Sequence, residues 1–115
     1  MTLDDAEVIL HLHIRIRQEH HAAFAAYVQD AFPVFEASGA CKGAVYVSAT
    51  DPEVFDEVFY YRDEAAYRAG EAALTSDPAQ AALLKRWREL LEGPPRVEVF
   101  RRSPLDASRG RTGDI

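Results

Sequence analysis

The chain has 115 residues, of which 48% are hydrophobic and 28% charged, with a net charge of −6. That length suits one domain, the composition excludes a disordered chain, and the acidic balance excludes a general nucleic-acid surface. No apolar run approaches the ~20 residues of a membrane helix, and the acidic start MTLDDAEV is unlike a secretory signal. Cys41 is the single cysteine, which rules out an intrachain disulfide or a cysteine zinc cluster. These features together predict a cytoplasmic protein.

Residues 8 to 17, VILHLHIRIR, alternate. Val8, Leu10, Leu12, Ile14 and Ile16 share one face, and His11, His13, Arg15 and Arg17 the other, which predicts a strand with one apolar side. The period then changes. Phe24, Tyr27, Val28, Ala31 and Phe35 recur at steps of three and four, the stripe of a helix. Pro33 is expected to kink or end that helix near Phe32, leaving residues 34–37 as a short second piece. Ser38-Gly39 is a stop.

GAVYVSAT (43–50) reads as a second strand, Asp51-Pro52 as a turn, and EVFDEVFYYR (53–62) as a third strand. Asp63 can cap the helix EAAYRAGEAAL, whose interior Gly70 costs roughly 1 kcal/mol relative to alanine. The run SDPAQ starts another helix, with Asp77 as cap and Pro78 in the first turn. Leu83, Leu84, Trp87, Leu90 and Leu91 carry its stripe, and Gly93-Pro94-Pro95 ends it. RVEVFRR (96–102) alternates as a fourth strand. Residues 1–102 therefore form the domain, and 103–115, polar and without periodicity, read as a disordered C-terminal tail.

The order βαββαβ predicts an α+β, ferredoxin-like fold, with the second helical region in two pieces. Right-handed crossovers put the strands in the order four, one, three, two, all antiparallel, with the helices on one face. Strand three offers two faces, and the aromatic one (Phe55, Glu57, Phe59, Tyr61) is assigned to the helices. The opposite face then carries His11, His13, Arg15, Arg17, Tyr46, Asp56, Val58, Tyr60, Glu98 and Phe100. Such a mixture suits a two-fold sheet-on-sheet contact.

The chain resembles the dimeric α/β-barrel superfamily, and within it the antibiotic-biosynthesis-monooxygenase-like and NIPSNAP-like families. The likeness runs over about residues 8 to 102. It is carried by IRIRQEHHAAFAAYV, GACKGAVYVSATDP and EVFYYRDEAAYRAG, with DPAQAALLKRWREL closer to the NIPSNAP-like pattern. The resemblance implies a homodimeric α/β barrel with a small-molecule pocket between sheet and helices in each subunit. Monooxygenase-like members often carry an aromatic residue at the end of strand three and a histidine two turns into the next helix. Tyr61 stands at the first position, and Gly70 at the second, so haem binding through that imidazole is not expected.

Among the candidate sites, Glu57 is a carboxylate set between aromatic neighbours, where desolvation raises a pKa and makes a general acid or base. Tyr61 and Glu57 are the expected catalytic pair. Phe24, Tyr27, Phe59, Tyr67 and Trp87 are the expected walls for a small hydrophobic or aromatic ligand, each also suited to plain core packing. His11 and His13 share a face and can converge on a metal with Asp56, but Arg15 and Arg17 oppose a cation. Neither a metal nor a cofactor is therefore expected. His20 and His21 read as solvated residues near a helix start. Lys42 beside Cys41 can modestly lower its pKa, although a lone cysteine is more often inert.

The expected activity is that of a cofactor-independent monooxygenase or isomerase on an aromatic or polyketide-like molecule. The competing expectation is a non-catalytic binding or dimerisation module.

Overall fold

The structure is a computed structural model that describes residues 2–108. Strands β1 (Val8–Arg15), β2 (Cys41–Val47), β3 (Val54–Tyr61) and β4 (Arg96–Arg101) alternate with helices α1 (His21–Phe35), α2 (Glu64–Ser76) and α3 (Pro78–Leu90). The sheet order is β2-β3-β1-β4, and every neighbouring pair is antiparallel. This is the α+β, ferredoxin-like arrangement expected from the sequence.

The register fixes the faces. Leu12 lies opposite Glu57, and Glu57 opposite Val45. Pleating therefore puts Val8, Leu10, Leu12, Ile14, Phe55, Glu57, Phe59 and Tyr61 on the helix side. Leu10, Ile14, Ile16, Phe59 and Tyr61 pack there against Phe24, Tyr27, Ala31 and Phe32 of α1 and Trp87 of α3. Each large side chain taken out of water contributes about 1.5–3 kcal/mol, so this one-sided layer is the fold's main source of stability. Rings interlock within it: Phe32 lies 5.1 Å and Phe35 5.7 Å from Phe59, centroid to centroid. Gly43 permits that packing, because a Cβ there would stand 2.8 Å from Phe32 and 3.0 Å from Phe59.

Local chemistry sets the helix starts. The Asp63 carboxylate accepts from Ala66 N–H at 2.8 Å to open α2, and Asp77 accepts from Ala79 N–H at 2.9 Å to open α3. Gly93 adopts φ +82° just beyond α3, the left-handed geometry that lets the chain turn back into β4.

Several expectations are corrected. Pro33 does not divide α1: it falls in the last turn, where one missing donor is tolerated, and Glu36 N–H still bonds the Phe32 carbonyl at 2.9 Å. The second strand begins two residues early, at Cys41, and ends at Val47, because the Ser48 hydroxyl takes the N–H groups of Thr50 and Asp51 and turns the chain. The first strand stops at Arg15. Arg17 leaves the sheet and pairs with Glu92 at 3.2 Å. His21 is only partly solvated: its Nε2–H donates to the Ile16 carbonyl at 2.9 Å, and its ring meets Phe55 edge-on. The helix layer is also narrower than the sheet. Val47 and Val97 face the helix side yet remain exposed at the two edges.

Beyond β4, the Arg102 guanidinium donates to the carbonyls of Ala6 and Asp4 and pairs with Asp106 at 2.6 Å, tying residues 102–106 to the amino-terminal turn. The rest of the expected tail, 109–115, lies outside the described residues.

Candidate functional site

Glu57 is the buried carboxylate of the core, with 1% of its surface exposed. Alternation along β3 points it at the helices, and Leu12 and Val45 flank it in the sheet. From above, Trp87 of α3 donates its indole Nε1–H to Glu57 Oε2. Burial pushes the Glu57 carboxyl up to about 7; the Trp87 hydrogen bond acts against that rise and the neighbouring Asp56 charge adds to it. The side chain is therefore poised between acid and base near neutral pH.

Glu57 opens onto a cavity of about 950 Å³ between the sheet and the helices. That exceeds the ~300 Å³ lower bound typical of small-molecule sites. Leu10, Leu12 and Phe59 form its sheet side, Tyr27, Leu84 and Trp87 its helix side, and Tyr61 with Cys41 one end. Burial and the Glu57 charge hold the Tyr27 phenol well above its ordinary range, and burial with the Cys41 charge does the same to Tyr61. Both phenols are therefore protonated hydrogen-bond donors across the physiological range. Burial likewise pushes the Cys41 thiol up to about 11, against the modest lowering expected from Lys42. The thiol is not a ready nucleophile.

The structure thus brings together five of the seven residues singled out from the sequence: Glu57, Tyr61, Tyr27, Phe59 and Trp87. Phe24 and Tyr67 do not line the cavity. Phe24 is buried between Tyr27 and Phe55, and Tyr67 stands edge-on behind Tyr61 at 5.4 Å. What the sequence reading missed is the source of the space. Ala65, Ala66, Ala69, Gly70 and Ala73 of α2 all line the cavity, and their small side chains leave the gap beneath the helix. Gly70 is packed directly over Tyr61, where a Cβ would stand 3.1 Å from Cε1 and 3.4 Å from the hydroxyl oxygen. The signal is the run AAYRAGEAA, in which only the glycine draws notice and the alanines pass as ordinary helix formers.

On the opposite face, His11 Nδ1 lies 2.9 Å from Asp56 Oδ2, and His13 Nδ1 lies 3.5 Å from Asp56 Oδ1. Arg15, on the same face, pairs with Asp51 at 3.0 Å and Glu53 at 3.3 Å.

No sequence-family profile matches the chain, and no curated protein matches it. Solved structures do. A conserved protein from Methanosarcina mazei superposes with a TM-score of 0.70 at 14% identity, over 88% of this chain and 97% of its own. A Deinococcus radiodurans protein provisionally named an antibiotic biosynthesis monooxygenase gives 0.69 at 14%, over 86% and 95%. A Bordetella bronchiseptica protein of the same provisional name gives 0.61 at 21%, over 85% and 98%. The chain therefore has the fold of the antibiotic-biosynthesis-monooxygenase-like proteins. These matches bear on that side of the sequence resemblance and not on its NIPSNAP-like side.

Among the described residues, no helix is long and apolar enough to cross a membrane.

Proposed function

We propose that this protein is a small, cytoplasmic, homodimeric enzyme of the cofactor-independent monooxygenase or isomerase type, acting on an aromatic or polyketide-like molecule. The observation that carries this reading is a carboxylate with its pKa near 7 in the wall of a mostly apolar cavity of about 950 Å³. A flat apolar substrate gains from such walls, and Tyr61 and Tyr27 supply phenol donors to orient its oxygen atoms. Glu57 takes a proton from an acidified C–H or O–H of the bound molecule. The resulting anion is either reprotonated at another carbon or, in the oxygenase version, meets dioxygen in a site from which water is excluded. The protein's share of the work is desolvation, positioning and one proton.

The homodimer rests on the mixed character of the helix-free face, where Tyr46 and Phe100 are half exposed beside charged groups. The fold neighbours' provisional names support the choice of chemistry.

A binding module without catalysis is the second reading. It is favoured by Gly70 standing where the family resemblance leads one to expect a histidine, and by a Cys41 thiol that burial keeps protonated. One experiment separates the two. The purified protein is screened by native mass spectrometry against acidic phenols and polyketide-like anthrones, and binders are then assayed for turnover and oxygen uptake. Turnover that falls at least ~100-fold in Glu57→Gln while binding persists supports the enzyme. Turnover unchanged by that substitution removes Glu57 from the mechanism, and binding without turnover in the wild type establishes the module.

A further inference from the structure

The helix-free face of the sheet carries its own constellation, separate from the cavity. Asp56 on β3 lies directly opposite His13 on β1 and diagonal to His11. One donor atom from each of His11, His13 and Asp56 falls within 4.8 Å of the other two. The two imidazoles stack at 5.9 Å with their planes 16° apart, so both Nδ1 atoms point toward the same carboxylate. A second observation is independent of this clustering. Asp56 Oδ1 is buried and has no hydrogen-bond partner, because His13 Nδ1 at 3.5 Å does not satisfy it. A buried anionic oxygen without a hydrogen bond from the protein is costly, and a cation or an ordered water has to meet it.

We propose that His11, His13 and Asp56 form a divalent transition-metal site of the two-histidine, one-carboxylate kind. Imidazole and carboxylate together select zinc, nickel, cobalt or copper over magnesium and calcium, which prefer all-oxygen shells. Donors held about 2.0–2.1 Å from a tetrahedral ion stand about 3.4 Å apart, so closing the present spacing needs side-chain adjustments of roughly 1 Å and no backbone change. The metal takes the position between His11 Nδ1 and Asp56 Oδ2 that a hydrogen bond now fills, with the imidazole proton carried on Nε2 instead.

The cationic groups set against such a site in the sequence are accounted for. Arg15 is held by Asp51 and Glu53, and Arg17 by Glu92. Arg96, opposite His13 on β4, faces Glu98 at 3.8 Å. Phe100 packs edge-on against His11 at 5.3 Å, and the fully buried Val58 lies opposite His11 on β3, giving the site an apolar flank. Three protein ligands leave a fourth position for water or a small anion.

The test uses the full chain, stripped with a chelator and titrated with Zn²⁺ by calorimetry and with Co²⁺ by visible absorption. One equivalent per chain is expected, with a cobalt ligand-field band. His13→Gln and Asp56→Asn are each expected to weaken binding by at least ~10-fold, the scale of losing even an outer-shell partner. His20→Gln, at an exposed histidine 3.9 Å from Glu19, is expected to leave binding unchanged. In the single chain all three positions are at least partly exposed; because His13 and Asp56 lie on the face assigned to the homodimer, far-ultraviolet circular dichroism and sedimentation verify that each variant folds and keeps the wild-type oligomeric state. No saturable binding, undiminished binding in His13→Gln or Asp56→Asn, or loss of binding in His20→Gln overturns the assignment.

Discussion

Glu57→Gln tests the environment of the carboxylate apart from any substrate. An unfolded glutamate titrates near 4.5, and burial in the folded protein moves Glu57 to about 7. Below pH 4.5 the group is protonated in both states and adds no pH dependence. Between pH 4.5 and 7 the folded state keeps the proton while the unfolded state releases it, so stability falls as pH rises. Above pH 7 both states are ionised and the loss is complete. At about 1.4 kcal/mol per tenfold change in proton affinity, that displacement makes the loss about 3 kcal/mol. Glutamine keeps the shape and an amide oxygen for the Trp87 N–H, but it does not titrate. Urea denaturation of both proteins at half-unit steps from pH 4.5 to 8, in buffer with a chelator, reads the difference directly. The variant is expected to gain on the wild type between pH 4.5 and about 7 and then to level off, having gained about 3 kcal/mol by pH 8, the other titrating groups cancelling in the comparison. A difference curve flat to within 0.5 kcal/mol means that Glu57 is solvated or neutralised, and the argument for a proton-transfer carboxylate fails with it.

Three further substitutions probe the frame around the site. Gly43→Ala drives a methyl group into Phe32 and Phe59, each at 3.0 Å or less, and is expected to destabilise by ~1–3 kcal/mol in thermal melts. Asp63→Ala removes the side chain that caps α2 and is expected to cost about 1 kcal/mol by the same measurement. Trp87→Phe deletes the N–H that favours the Glu57 carboxylate. The Glu57 pKa is then expected to rise above its wild-type value, and the acid limb of any pH–rate profile should move upward with it; a downward move contradicts the hydrogen bond.

The sheet was legible because its strands alternate without interruption. VILHLHIRIR and FDEVFYY each declare two faces, and the antiparallel order follows from helix connections of ordinary hand. The aspartates at 63 and 77 announced both later helices for the same local reason. Less visible were features that depend on where one element lies over another. Pro33 has the same propensity in mid-helix as in a last turn, so only the observed end of α1 shows it to be harmless. Val97 has the pattern of a helix-facing residue but lies on an edge strand, at the open rim of the cavity and largely exposed. Glu57 was found because pattern alone puts a carboxylate among aromatics. Its hydrogen bond to Trp87 joins residues 30 positions apart and has no sequence signature. Phe24 and Tyr67 belong to the right aromatic set yet stand one layer behind the cavity, a distinction that periodicity does not carry.

Asp56 and Glu57 are consecutive in the chain but lie on opposite faces of β3, and this separation gives a last prediction. The proposed metal ligand and the proposed proton acceptor share no cavity, no hydrogen bond and no helix. Their one connection is the Asp56 charge, which contributes least among the causes of the Glu57 shift, behind burial and the Trp87 hydrogen bond. Substitutions at separated sites that share no partner usually add to within ~0.5 kcal/mol, a little over twofold in an equilibrium constant, and the opposite faces of β3 are expected to bring these two side chains close to that limit. Asp56→Asn is therefore expected to leave ligand binding in the cavity within about threefold of wild type while weakening metal binding at least ~10-fold, and Glu57→Gln is expected to leave metal binding within about threefold while removing turnover. Calorimetry on each variant, with metal and with cavity ligand in turn, together with the turnover assay, checks both halves. A loss of both activities in either single variant shows that the faces act as one site, in which case the two assignments stand or fall together.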